Sequence, residues 1–264
     1  MKFRYNFLLS ALCGLAFTAC SNIDDDERLI YVEPVTEMRN VLIEDFTGQK
    51  CPNCPNATDK IASLHEEYGD KVIAVAIHSG PLGFAGNANN VGLKTELGDV
   101  YYNAWGIDFQ PKGVIDRNGA ALDFNFWQEK VRTEIQRSTP LTLNLSATLA
   151  ADANSVDISL EAYATETVNG KVQLWILEDS IVAMQTMPDG KVNREYVHNH
   201  VLRSAPNGDW GEDVNIAPGD LRTITCNAPI AENWNKNQLS VVAFVYNEGG
   251  VVQVVKTHVD TKQE

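Results

Sequence analysis

Between residues 40 and 137 the apolar positions change their period several times. Val41 to Phe46 is a short, mostly apolar run and reads as a buried strand. Ala57, Ile61, Leu64 and Tyr68 then recur at helical spacing, so a helix is predicted from Pro55 to Tyr68, stopped by Gly69-Asp70. Val72 to Ile77 is wholly apolar, as expected of a strand covered on both faces. Residues 79–90 are rich in Gly and Asn and read as a loop. A second helix is predicted over 94–105 and a strand over 113–116. Asn118-Gly119 is a hairpin turn that returns the chain through 120–124, and a closing helix spans 125–137. The predicted order is β-α-β-α-β-β-α.

Ser138-Thr139-Pro140 ends that regime, and helical spacing disappears beyond it. Leu141, Leu143, Leu145, Ala147 and Leu149 alternate strictly with other residues, as do Val156, Ile158, Leu160 and Ala162. Further strand-like runs cover 171–178, 221–226, 239–246 and 251–259, the last two joined across Gly249-Gly250. Short alternating strands separated by turns predict an antiparallel sandwich, immunoglobulin-like in outline. Residues 179–218 read as a longer irregular interruption.

The first 20 residues follow a different logic. Lys2 and Arg4 precede an apolar stretch, 7–17, too short to span a bilayer, and Phe17-Thr18-Ala19 lead to Cys20. That is a secretory signal, and small residues before a cysteine resemble a bacterial lipobox, with Cys20 as the lipidation site. Residues 20–39 then read as an acidic tether. The formal charge is −14, and losing Lys2 and Arg4 with the leader brings it to about −16. Such a balance excludes nucleic acid as a partner. Once Cys13 and Cys20 are assigned to the leader and the anchor, Cys51, Cys54 and Cys226 remain. In an oxidising compartment the parsimonious pairing is Cys51 with Cys54, leaving Cys226 as a small buried hydrophobe.

Cys51-Pro52-Asn53-Cys54 sits between a strand and a helix. There the unpaired N–H groups of the helix start favour a thiolate, and two thiols can cycle with a disulfide. Cys51 is expected nearer solvent, with Lys50 beside it as a stabilising charge. The competing reading is a permanent staple, although so short a loop restricts the unfolded chain little. Four-ligand zinc spacing is missing, and no hydrolase triad, P-loop or dinucleotide fingerprint is present, so neither a metal nor a cofactor is expected. His198 and His200 would share a strand face. His78 would end the second strand and could face the cysteines.

The predicted order with Cys-x-x-Cys at the first helix resembles a thioredoxin-like domain. That resemblance implies roles for two further residues. Asp45, six residues before Cys51, would be the buried carboxylate that takes the proton of Cys54. Pro111 would be a cis-proline that orients a substrate beside the pair. The expected fold is therefore an α/β thioredoxin-like domain over 40–137 followed by an all-β antiparallel sandwich, immunoglobulin-like, over 138–264. Residues 1–19 would be the signal and 20–39 the tether.

The wider layout adds Phe46-Thr47-Gly48 before the cysteines and Tyr196-Val197-His198-Asn199-His200-Val201-Leu202-Arg203 in the second half. It resembles the outer-membrane lipoprotein family named after a twenty-eight-kilodalton outer-membrane protein. This implies anchoring at the outer membrane, facing the periplasm or the exterior, with envelope or surface proteins as partners. Two functions follow as expectations. One is a thiol–disulfide oxidoreductase or redox-linked chaperone with Cys51, Cys54, Asp45 and Pro111 as its site. The other is a non-enzymatic surface binding module or adhesin with a structural disulfide.

Overall fold

A computed structural model describes residues 37–261; Cys20 and the signal and lipidation expectations lie outside that range. In chain order the elements are β1 (Glu37–Met38), β2 (Val41–Thr47), α1 (Cys54–Tyr68), β3 (Val72–His78), α2 (Glu96–Ala104), β4 (Lys112–Ile115), α3 (Trp127–Glu134), β5 (Ser138–Thr139), β6 (Leu141–Leu149) and β7 (Ser155–Ala164). There follow β8 (Val168–Glu178), β9 (Ile181–Thr186), β10 (Val192–His198), β11 (Val201–Ser204), β12 (Glu212–Ile216), β13 (Leu221–Pro229), β14 (Leu239–Asn247) and β15 (Gly250–His258).

Strands from both halves of the chain lie in one eight-stranded mixed sheet. Its order is β15-β14-β8-β11-β3-β2-β4, with β12 also paired to β8. Within it β3 runs parallel to β2 and β11, and the other pairings are antiparallel. A three-stranded antiparallel sheet, β13-β7-β6, packs on it, and β9 and β10 form a separate hairpin. This overturns the expectation of an α/β thioredoxin-like domain followed by an all-β immunoglobulin-like sandwich. The molecule is mostly strand with three α-helices among the described residues, and the two regimes of the sequence share a sheet.

The physical reason lies in β8 and β14. Val172, Leu174 and Ile176 of β8, with Val241, Ala243 and Val245 of β14, enter one core with β6 and β7. The alternate residues Trp175, Leu177, Val242 and Phe244 enter a second core with Leu42, Phe46, Ile73, Val75 and Ile77 of β2 and β3. Successive strand side chains point to opposite faces, so an unbroken apolar run wets neither face. The two strands form a shared wall between two cores. A third core packs α1 and α3 on the outer face of β2, β3 and β4 through Val41, Ile43, Ala74, Leu64, Trp127 and Val131.

Arg117 ties the halves electrostatically. Its Nε donates to Glu44 Oε1 at 2.8 Å, and both side chains are buried. The rings of Tyr246, Phe244, Trp175, Trp210 and Tyr101 surround the guanidinium, with centroids 4.4–5.8 Å away. An ion pair out of water needs such company, because desolvation otherwise exceeds the Coulomb gain.

Two local expectations also change. Residues 120–124 form no strand; only Leu122 bridges Gly113. Trp127 packs over that place, with its Nε1 donating to Leu122 O, and a Cβ on Gly113 would lie 2.4 Å from its ring. Residues 179–218 are not irregular but carry β9 to β12. β9 and β10 are half-polar and show no clean alternation, and β9 gives only Ile181 and Ala183 to a small cluster with Leu93 and Val201.

Candidate functional site

β2 delivers the chain into the loop 48–53, which is clamped from two sides. On one, Lys50 N donates to Leu82 O at 2.9 Å, and a Cβ on Gly48 would lie 2.4 Å from that same oxygen, so the close approach requires glycine. On the other, Thr186 N donates to Gln49 O at 2.9 Å. Two buried glutamines complete the clamp. Gln49 Nε2 donates to Val91 O and Met184 O, and its Oε1 accepts from Leu93 N. Gln185 Nε2 donates to Cys51 O at 2.8 Å and reaches Gly48 O and Thr186 O.

Cys51 and Cys54 are joined as a disulfide at the start of α1. Asn53 is the N-cap without a side-chain cap bond, and Pro55 occupies the first turn, where its missing N–H costs nothing. The sequence reading put Cys51 nearer solvent, but it is fully buried, 0 % exposed, with Gln185 of the β9–β10 hairpin bonded to its carbonyl. Cys54 is 2 % exposed and lines a cavity of about 140 Å³ between α1, β3 and the hairpin. Lys50 does not serve the sulfurs; its ammonium lies 5.2 Å from the Phe84 ring.

Asp45 lines the same cavity. Its carboxyl is buried, Oδ1 has no hydrogen-bond partner among the described residues, and desolvation pushes its pKa up to about 8. His78 and His198 stand edge to face with centroids 5.2 Å apart, and Tyr196 packs on His198. Burial lowers both histidines, His198 to about 4 against the raising effect of backbone hydrogen bonds to Met184 and Ala183, and His78 is further disfavoured as a cation by His198 and Arg203.

His200 leaves the strand at φ 58° and binds Asp179, with its ring edge against His65. His200 thus lies beyond the end of β10, and the two histidines reach the same cavity from a strand and from a turn rather than from one strand face. Among the described residues no group of three His, Cys, Asp or Glu side chains is placed to hold a metal. Pro111 is buried and follows a cis peptide bond, and it is not among the cavity-lining residues. Its neighbour Gln110 donates to Thr47 O and Ser79 O. Cys226 is free and half-buried on β13. Gln49, Gln185 and the hairpin escaped the sequence reading. A glutamine amid apolar neighbours was the only signal for Gln185, and Gln49, between Gly48 and Lys50, carried none.

A family model described as outer membrane protein Omp28 matches residues 98–263. The chain belongs to the Omp28 family. Membership places it at the outer membrane, and no helix among the described residues is long and apolar enough to cross one. Solved structures with some likeness to the chain are of low sequence identity. HBP35 of Porphyromonas gingivalis is similar with a TM-score of 0.68 at 19 % identity, over 86 % of this chain and 78 % of that one. A structural-genomics protein of Agrobacterium tumefaciens matches at 0.50 and 14 % identity, over 86 % and 97 %. A domain of the outer membrane lipoprotein Omp28 from Porphyromonas gingivalis is 22 % identical over 47 % and 92 %, with a TM-score of 0.34. The first two likenesses speak to fold alone. No curated protein matches the chain significantly.

Proposed function

We propose that this Omp28-family protein is a non-enzymatic binding module of the outer membrane, held there by lipid on Cys20, with Cys51–Cys54 as a structural disulfide. The observation that carries the reading is the burial of Cys51 under the hairpin, with its carbonyl held by Gln185. Thiol–disulfide exchange with a polypeptide needs an accessible sulfur on an extended, reachable loop. Here the loop is clamped by Gln49, Gln185 and Leu82, and freeing it would break buried hydrogen bonds worth about 0.5–1.5 kcal/mol each.

A staple has a reduction potential below about −300 mV, whereas a catalytic pair lies well above it. Redox titration is therefore expected to give a value in the staple range. Disulfide reductase and isomerase assays are expected to give equal rates for the wild type and Cys51→Ser. A rate that depends on Cys51 would overturn the reading. Cys20→Ala is expected to release the protein from membranes, and protease shaving of intact cells reports which face it occupies.

A further inference from the structure

His65 and His200 stand where the cavity beneath the hairpin meets an open groove of about 650 Å³, and both side chains line both spaces. His65 lies in the last turn of α1 and His200 in the turn after β10. Their rings meet edge to face, with centroids 5.6 Å apart.

Each ring has one nitrogen engaged and one left over. His65 Nε2 lies 3.0 Å from Val72 O, which only accepts, so the proton sits there and the lone pair is on Nδ1. His200 Nδ1 lies 3.0 Å from Asp179 Oδ1, which also accepts the His200 amide, so this proton faces the carboxylate and the lone pair is on Nε2. Lys256 Nζ, 3.3 Å from the same Nδ1, has Asp179 Oδ2 as its acceptor at 3.5 Å. Among the described residues neither left-over nitrogen has a partner, and neither is sealed from solvent as the unpaired nitrogens of His78 and His198 are. The His200 side chain is 28 % exposed.

A neutral imidazole whose N–H is held by a carbonyl or a carboxylate is oriented and made more basic as a metal ligand. Two imidazoles on one four-coordinate ion, each at about 2.0–2.1 Å, keep their centroids about 5–6 Å apart, which brackets the observed 5.6 Å. We propose that His65 Nδ1 and His200 Nε2 together bind a divalent transition-metal ion, zinc or copper(II), with water from the groove in the remaining positions. Imidazole nitrogens select such ions over calcium and magnesium, which take oxygen ligands. Two protein ligands agree with the lack of a three-residue metal group among the described residues. Asp179 is a positioning residue, and its charge offsets that of Lys256. The chain's charge of −14 raises the local concentration of cations. The inference goes beyond the binding-module reading and does not depend on the role of the disulfide.

The test is isothermal titration calorimetry of the tag-free full-length protein in detergent with ZnCl₂, at about pH 7.5, where the imidazoles are free to ligate. Saturable one-to-one binding is expected. His65→Gln and His200→Gln should each weaken it at least tenfold, and Asp179→Asn by about tenfold, as for an outer-shell partner. His258→Gln, at the other histidine of the groove, should leave it unchanged. With CuCl₂, electron paramagnetic resonance of the wild type should show coupling to two imidazole nitrogens. Asp179→Asn should keep both nitrogens and alter the coupling. The wild-type spectrum decides the matter even where a variant fails to fold, which circular dichroism reports. Overturning results are no saturable binding, binding indifferent to both His65→Gln and His200→Gln, or a wild-type copper spectrum with fewer than two nitrogens.

Discussion

Asp45 is the residue whose chemistry departs most from its free form. Its folded pKa, about 8, stands above the unfolded value of about 3.9. The folded state therefore binds the extra proton between these values. The contribution is fully present below about pH 4 and is lost as pH rises through about 8. Asp45→Asn is expected to leave stability little changed near pH 4 and to raise it by a few kcal/mol near pH 9, measured by urea titration. Unchanged stability at pH 9 would show that the carboxylate is solvated or paired. The two cysteines make a second comparison. In Cys51→Ser the remaining thiol borders the cavity, whereas in Cys54→Ser it lies under the hairpin. Methyl methanethiosulfonate is expected to modify the first variant at least tenfold faster, by mass spectrometry. Equal rates would mean that the hairpin does not protect Cys51.

At the scale of the element, the β9–β10 hairpin decides what reaches the disulfide. It is held by Gln185, by the Thr186 amide and by the contact of His198 with His78. Both histidines are kept neutral by burial, so their folded pKa values lie below the unfolded one near 6.5. The stability they allow is intact above about pH 6.5 and is lost as pH falls through about 4 for His198, because the proton must enter a buried, poorly solvated place. Hydrogen exchange, corrected for intrinsic rates, is expected to show the amides of 181–198 losing protection between these pH values before those of β8 or β14. His198→Gln should blunt that loss. Simultaneous loss across all strands would tie the hairpin to global unfolding instead.

For the whole molecule the decisive parts are the shared wall of β8 and β14 and the caged Arg117. Removing one partner of a buried ion pair leaves the other charge unpaired, at a cost of about 3–5 kcal/mol. Arg117→Met is expected to lose that much stability. The double variant with Glu44→Leu should recover a large part, since two apolar side chains need no partner. Because the wall serves both cores, tryptophan fluorescence and far-ultraviolet circular dichroism should report one coincident thermal transition. Two separated transitions would show that the halves are held together more loosely than their shared sheet implies, and an additive double variant would show that Glu44 and Arg117 do not interact.

Much of the local structure could be read from residue order. The strand at 41–46, the helix from 55 to 68, the strand at 72–77 and the alternating strands β6 and β7 follow from periods of 3.6 and 2, and the Cys51–Cys54 pairing follows from spacing. Such features depend on neighbours a few positions apart. Long-range placement obeyed other rules. Leu239 to Tyr246 reads equally well as a strand of a separate sandwich or as a wall between two cores, because an apolar run says only that both faces are dry. β11, four residues long, pairs Val201 with both Ala76 and Glu178 and so joins the halves, yet a segment that short carries no period. The sequence by itself determined which residues avoid water and which two sulfurs meet. Tertiary packing alone decided that a hairpin covers those sulfurs and that Asp45, His78 and His198 border one cavity, since these depend on contacts between segments distant along the chain.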